Sequence, residues 1–313
     1  MSSRSLNKKG FSWASFFGTG LTGLATYLII AILFVIVGHI TIQGWPNLTW
    51  QFVTSGVEEG MFNVGKSGVL PMIVGTATKV ILMTIFVIPI GVITAIYITE
   101  YAHTTSLTIR VIRGAVNNLA GVPSVVFGLF GLGFFISFIG QHMDAAIYPS
   151  SDKPVWGKAA LVWASLTLAV MTLPVVIVAT EEALKAIPQG LREASLALGA
   201  TKLQTIIRIV LPQAMPGIMT GGILAVGRAA GEVAPIMFTG AAYFLSGFPR
   251  ALTDQFMDLG YHVYILSTQS PNIDQTRPLL QATVLVLLIL TFSLNIVAIL
   301  IRARMRKKMR ALH

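Results

Sequence analysis

The stretch Arg192-Glu-Ala-Ser-Leu-Ala-Leu-Gly-Ala-Thr-Lys-Leu-Gln-Thr-Ile-Ile-Arg-Ile-Val-Leu-Pro212 lies between two long apolar runs and decides how the rest of the chain is read. Residues 191–198 are mostly good helix formers, so they predict a short helix. Gly199 then supplies a turn without a Cβ penalty. Leu203, Ile206, Ile207 and Val210 recur at helical spacing and predict a second, amphipathic helix. Pro212 and Pro216 are expected to punctuate re-entry into the next apolar run. Ala194 and Ser195 are small, so another protein surface can approach closely. The segment 182–212 therefore reads as an interhelical loop with two short helices, open to close approach by another surface.

Working outward, the apolar runs set the class. Of 313 residues, 54% are hydrophobic and 11% charged, against about 25% charged in a soluble domain. Runs of about 20 apolar residues recur, which predicts an all-α polytopic membrane protein. Six spans are expected, at about 21–43, 70–99, 115–140, 159–181, 214–243 and 279–301. The N-terminal basic residues Arg4, Lys8 and Lys9 before the first run mimic a signal peptide. That run is long for one and no Ala-x-Ala cleavage site follows, so it is read as a retained span. Pro89, Pro123, Pro174 and Pro235 predict kinks or broken turns.

Basic residues give the orientation. With the N-terminus inside, fifteen of the 22 Lys and Arg fall on inner segments and five on outer ones, while Lys79 and Arg228 fall within spans. Both termini are thus expected in the cytoplasm, with 182–212 on the same side. The net charge of +10 is then a topology signal on anionic lipid rather than a sign of nucleic acid. The chain divides into 1–69 (tail, first span and outer loop), a core at 70–302, and a basic tail at 303–313.

Two ionisable groups stand in the fifth run. Arg228 and Glu232 are four residues apart, which would put them on one helix face. Ionisable groups are costly at membrane depth and mark function by default. Gly217, Gly221, Ala225, Pro235 and Thr239 fall near the same stripe. An Arg guanidinium matches an anion's oxygens with a rigid donor fork, and Glu232 could hold it and weaken its grip. Lys79, about 13 Å into the second run, either snorkels to the outer surface or adds positive potential to a path. Ser124 follows Pro123, where broken backbone either exposes donors to an anion or only helps packing.

Gly60-Met-Phe-Asn-Val-Gly-Lys-Ser67 matches the nucleotide-binding pattern GxxxxGK[ST], but the following helix is an apolar span and no strand ends in an acidic Mg²⁺ partner. It reads as a surface loop. The sequon Asn47-Leu-Thr49 reads as chance. The five His are scattered without ligand spacing, and cysteine is absent. Asp254 and Asp258 are expected on an outer loop without catalytic partners. No catalytic site is read.

With this spacing, the opening stretch resembles the EAA loop of ABC importer permeases. Glu193, Ala194, Ser195, Gly199, Ile209, Leu211 and Pro212 stand at its motif positions, with Ser195 where Ala is usual. Gly121-Val-Pro-Ser-Val-Val-Phe-Gly-Leu-Phe-Gly131, Arg228-Ala-Ala-Gly-Glu-Val-Ala-Pro-Ile-Met-Phe-Thr239 and Tyr264-Ile-Leu-Ser-Thr-Gln269 are similar to phosphate importer permeases, with Glu232-Val-Ala-Pro235 closer to the PstA-type subunit than to its PstC-type partner. The resemblance implies a type I importer (MetI-like) fold in the bacterial inner membrane, a second permease subunit, a cytoplasmic ATPase dimer that holds ATP and Mg²⁺, and an extracytoplasmic phosphate-binding protein. It implies no cofactor on this chain. The small stripe beside Arg228 is then expected at the seam between two permease subunits. Phosphonate, sulfate or molybdate remains an alternative cargo, and an intramembrane enzyme or a passive channel an alternative class.

Overall fold

The computed structural model describes residues 13–57, 60–62, 67–102 and 106–310. The basic residues Arg4, Lys8 and Lys9, residues 63–66 of the nucleotide-site look-alike, His103 and His313 lie outside them. Among the described residues, six helical runs are long and apolar enough to cross a membrane: Phe16–Asn47, Leu70–Tyr101, Ser124–Ile147, Leu161–Lys185, Lys202–Gly231 and Ile273–Lys307.

The first, α1 (Trp13–Gly44), is apolar all round, as expected of a helix bathed in lipid. It packs only lightly, against α13 (Ile273–Arg310), where a Cβ on Gly44 would come within 2.7 Å of the Gln281 carbonyl oxygen. A short helix α2 (Trp50–Thr54), capped by the Thr49 hydroxyl, leads to the second run. That run is α3 (Leu70–Ile96), prolonged by a π turn over Tyr97–Tyr101.

The third span begins later than its hydropathy implies. Residues 107–120 form a separate amphipathic helix, α4 (Leu107–Ala120), which carries Arg110 and Arg113. The chain breaks at 121–123, because Pro123 has no N–H and biases the residue before it away from helix. A new run then starts at Ser124: α5 (Ser124–Phe130), a π stretch over Gly131–Gly140, and α6 (Gln141–Ile147).

The fourth run, α7 (Leu161–Lys185), is the centre of the bundle and packs on α3 and on α10 (Leu211–Gly231). Of its most apolar stretch 72% is buried, against none in α1. Small residues allow the closest contacts. A Cβ on Gly91 would reach within 2.7 Å of the Val176 side chain, and one on Gly221 within 2.7 Å of the Ala179 Cβ. A Cβ on Gly217 would overlap the Ala183 methyl. Gly217 and Gly221 of the small stripe therefore face α7, and Pro235 and Thr239 face Gly128 and Gly131 of the third span, all within this chain and not at a seam between subunits as expected. Replacing Gly221 by Leu forces α7 and α10 apart, and we expect a loss of about 1–3 kcal/mol, read as a lower thermal-aggregation midpoint in detergent.

Two further departures shape the site. First, Pro212 does not break the chain. The helix α9 (Lys202–Thr205), a π turn over Ile206–Val210 and α10 form one helical run of 30 residues. The π turn shifts the bonding register just before Pro212, where an N–H is missing anyway. Second, the fifth span is not continuous over 214–243. It ends at Gly231, Glu232 is extended, and a short helix α11 (Ala234–Thr239) follows. Pro235 sits in the first turn of α11, where its missing N–H costs nothing.

The segment 240–258, of which 244–258 was expected as an outer loop, folds back into the bundle. The Leu252 and Asp254 carbonyls accept from the Val162 and Leu161 N–H groups and so satisfy orphan donors at the start of α7. Ala241 and Phe256 form an isolated bridge, and Phe256 and Met257 are buried. Gly75 of α3 lies against the Met257 carbonyl so closely that a Cβ would overlap it. The re-entrant segment ends in α12 (Leu259–Thr268), which packs on α13.

The turn over 250–254 is held by the Asp254 carboxylate, which accepts from the Arg250 and Ala251 N–H groups at 2.9 Å each. These two bonds hold its pKa below the ordinary value, with smaller help from the Lys158 and Arg250 charges and against some burial. A depressed folded-state pKa gives stabilisation that is full above the usual carboxylate range and is lost as pH falls through the lowered value. Amide protection at Arg250 and Ala251 is expected to persist at neutral pH and to fall on strong acidification or in Asp254→Ala.

Candidate functional site

Charged groups converge where the fifth span breaks. Arg228 is on the last turn of α10, and its Nε donates to Glu232 Oε1 at 3.2 Å. The pair expected on one helix face is thus joined across a helix end, because Glu232 has already left the helix. The Arg228 side chain is 42% exposed and that of Glu232 21%. Alanines on either side of Arg228, Ala225, Ala229 and Ala230, are buried against the bundle, so the guanidinium points away from this chain's core.

Lys79 neither snorkels nor lines an open path in this structure. It is fully buried and pairs with Asp258 at 2.6 Å. Its Nζ also donates to the Glu232 carbonyl oxygen at 3.3 Å. Asp258 Oδ2 accepts from the Thr76 hydroxyl at 2.8 Å, and that hydroxyl accepts from the Leu259 N–H at 2.9 Å. Asp258 Oδ1 accepts from the Tyr261 N–H and so caps α12. Lys79 is nine residues along α3, about 13 Å at 1.5 Å per residue, so this node lies within the span and not at its end.

Asp258 and Thr76 were missed in the sequence, which suggested Glu232 as the acidic group at depth. The available signal was an Asp between apolar residues, Phe256-Met257 before it and Leu259 after, at an N-cap position. Ser124 opens α5, half-buried, just after the broken backbone at 121–123.

The segment 182–212 forms a helical hairpin at the other end. The first arm is α8 (Gln189–Ala197), followed by Gly199 at φ +85°, a left-handed turn that favours glycine. Thr201 and Gln204 then make a reciprocal capping box at the start of α9. Between the arms, the Ser195 and Thr205 hydroxyls meet at 3.0 Å. Ser195, the departure from the motif, thus ties the two arms together where Ala could not.

Arg192, adjacent to the motif, fastens the hairpin to the spans. Its Nη2 is 2.8 Å from Glu100 Oε1 and 2.8 Å from the Leu184 carbonyl oxygen, and its Nη1 is 2.7 Å from that of Ile187. Both partners are largely buried, at 12% and 9% exposure. Nearby, Glu181 on α7 pairs with Arg113 of α4 and Lys185, each at 2.7 Å. Glu193 and Ala194 are exposed, as are Leu191, Leu196, Leu198, Leu203 and Ile207. Leu198, at 89%, has almost no cover within the chain. A cavity of about 450 Å³ lies beneath α8, lined in part by Glu100, Arg192, Glu193 and Lys202. Such an apolar patch rimmed by charge fits a protein partner.

Six spans, a fifth span broken beside a charged pair and an exposed helical hairpin define a multi-pass membrane protein with a surface open to a partner. Residues 87–311 match the family model of binding-protein-dependent transport system inner membrane components. The chain belongs to this family of ABC importer permeases. It is 34% identical over 221 residues to the probable ABC transporter permease protein YqgI of Bacillus subtilis (strain 168), covering 71% of this chain and 68% of that one. It is 34% identical over 227 residues to the phosphate transport system permease protein PstA 1 of Mycobacterium tuberculosis (strain CDC 1551 / Oshkosh), covering 71% and 66%. A third relative, PstA 2 of Mycobacterium bovis (strain ATCC BAA-935 / AF2122/97), is 33% identical over 241 residues, covering 77% and 71%.

The fold is shared with the crystal structure of a bacterial ABC transporter that imports the acidic polysaccharide alginate, at a TM-score of 0.60 and 15% identity over 93% of this chain and 98% of that one. It is also shared with an inward-facing MetNI methionine ABC transporter, at 0.51 and 20% identity over 76% and 94%. The protein is a multi-pass membrane permease subunit of the ABC importer type.

Proposed function

We propose that this chain is the PstA-type permease subunit of an importer that carries inorganic phosphate across the bacterial inner membrane. The observation that carries this reading is Arg228, nearly half-exposed at the broken end of α10 within the fifth span and held by Glu232. An arginine at that depth is too costly to face lipid, so it faces a hydrated path or a partner subunit. Its donor fork suits a tetrahedral oxyanion. Glu232 competes for the same donors, which keeps the contact weak and release fast. Broken helices at the midplane serve this purpose in transporters. Two of the relatives above carry phosphate transport in their names.

In this reading both termini and the 182–212 hairpin lie in the cytoplasm. An ATPase dimer, holding ATP and Mg²⁺, docks on Glu193, Ala194 and the exposed leucines. Because α9 runs unbroken into α10, motion at the hairpin passes along one helical run to Arg228. A PstC-type permease faces this chain across the path, Ser124 borders it, and a phosphate-loaded binding protein delivers from outside. The basic tail rests on anionic lipid.

Substrate choice is tested by competition. Labelled phosphate uptake into proteoliposomes bearing the full complex is expected to be suppressed by excess unlabelled phosphate and not by sulfate, molybdate or methylphosphonate. Equal suppression by sulfate would replace phosphate as the cargo.

A further inference from the structure

We propose that the buried Lys79–Asp258 pair positions the translocation path, by fixing the break in the fifth span so that Arg228 and Glu232 face the passing anion. The inference rests on the phosphate reading above and deepens it, because it assigns work to two residues that do not themselves touch the anion.

Three elements meet at this pair, and among the described residues no other ion pair joins them. Lys79 belongs to α3, Glu232 to the gap between α10 and α11, and Asp258 to the end of the re-entrant segment. The Lys79 ammonium is shared between the Asp258 carboxylate at 2.6 Å and the Glu232 carbonyl at 3.3 Å. That carbonyl belongs to the residue whose side chain holds Arg228. A shift of the ammonium therefore moves the backbone that orients the Arg228–Glu232 pair. Asp258 is itself over-determined, with Thr76 on one oxygen and the Tyr261 N–H on the other, and Gly75 lets the segment lie flat on α3. The carboxylate is thus a fixed post, and the lysine spans from it to the break.

Stability alone is a poor reason for such a pair. Both side chains are fully buried, and replacing a buried ion pair with apolar groups is often neutral or stabilising. A helix end needs its orphan carbonyls satisfied, but a hydroxyl would do that without burying two charges. A fixed ammonium adds what a hydroxyl does not: long reach, and a position that responds when α3 and α12 move relative to each other.

The test uses the complete transporter in proteoliposomes, with phosphate transported per ATP hydrolysed measured per assembled complex. Lys79→Met with Asp258→Asn removes both charges and keeps one acceptor oxygen, enough for the α12 cap. A merely structural pair would change the amount of complex and leave the ratio intact. The positioning role predicts at least a tenfold lower phosphate-to-ATP ratio in complexes that still hydrolyse ATP. A ratio within twofold of wild type overturns the proposal. If the double variant does not assemble, Asp258→Glu alone decides by the same ratio, since it keeps the ion pair and both acceptor oxygens and displaces the ammonium. A wild-type complex that carries sulfate in place of phosphate would sink the substrate reading instead, and the ratio could then be read with sulfate.

Discussion

Replacing Arg228 with Ala is expected to lower phosphate uptake by about two orders of magnitude while the complex still assembles. Charge-assisted hydrogen bonds are worth about 1.5–3 kcal/mol each, and every tenfold in rate corresponds to about 1.4 kcal/mol. The side chain is 42% exposed, so its removal leaves no cavity in the core. The loss should therefore appear in transport and not in thermal stability. Arg228→Lys keeps the charge and loses the fork, and an intermediate rate is expected. Glu232→Gln removes the competitor for the guanidinium, so phosphate should bind more tightly and leave more slowly. Single-turnover release from proteoliposomes separates these cases. Normal uptake in Arg228→Ala would end the pathway role.

The second large effect is expected at Arg192. It touches no substrate, yet it links α8 to Glu100 on the second span and to the carbonyls of Leu184 and Ile187 at the end of α7. Arg192→Ala leaves Glu100 buried without a partner, and breaking such a pair costs about 3–5 kcal/mol. The hairpin is then no longer rigidly fastened to the bundle. ATP hydrolysis is expected to continue in complexes that form, with transport reduced by tenfold or more. Glu193→Lys differs, because Glu193 is exposed and, among the described residues, forms no ion pair that holds the fold. It should leave the isolated subunit stable and abolish binding of the ATPase, read by co-purification. The two variants thus separate transmission of force from docking.

Much of this was legible in the sequence where a single physical signal ruled. The first and last spans are uninterrupted apolar runs, and their helices extend past the hydropathy window because polar residues at helix ends are tolerated in water. The hairpin was readable since Gly199 and the small pair Ala194 and Ser195 stand at turn and contact positions. The break at Glu232 was harder to read. Hydropathy continues through Val233 and Ile236, and only Pro235 marked the interruption. The re-entrant segment was read as an outer loop, for it has no apolar run of its own. Its burial depends on Gly75 of a distant helix and on the orphan N–H groups of α7. Lys79 shows the same limit, since its partner Asp258 lies far along the chain and no spacing rule connects them. Gly217 and Gly221 were correctly read as a contact face, but which helix fills that face is a tertiary fact.

The central claim is that ATP-driven motion at 182–212 moves phosphate past Arg228. Its most direct test is uptake of labelled phosphate into proteoliposomes that hold this chain, a PstC-type partner and the ATPase dimer. The account predicts uptake that requires both ATP and phosphate-loaded binding protein, and that disappears with Glu193→Lys. Uptake that persists without ATP, or that Glu193→Lys leaves unchanged, would contradict it.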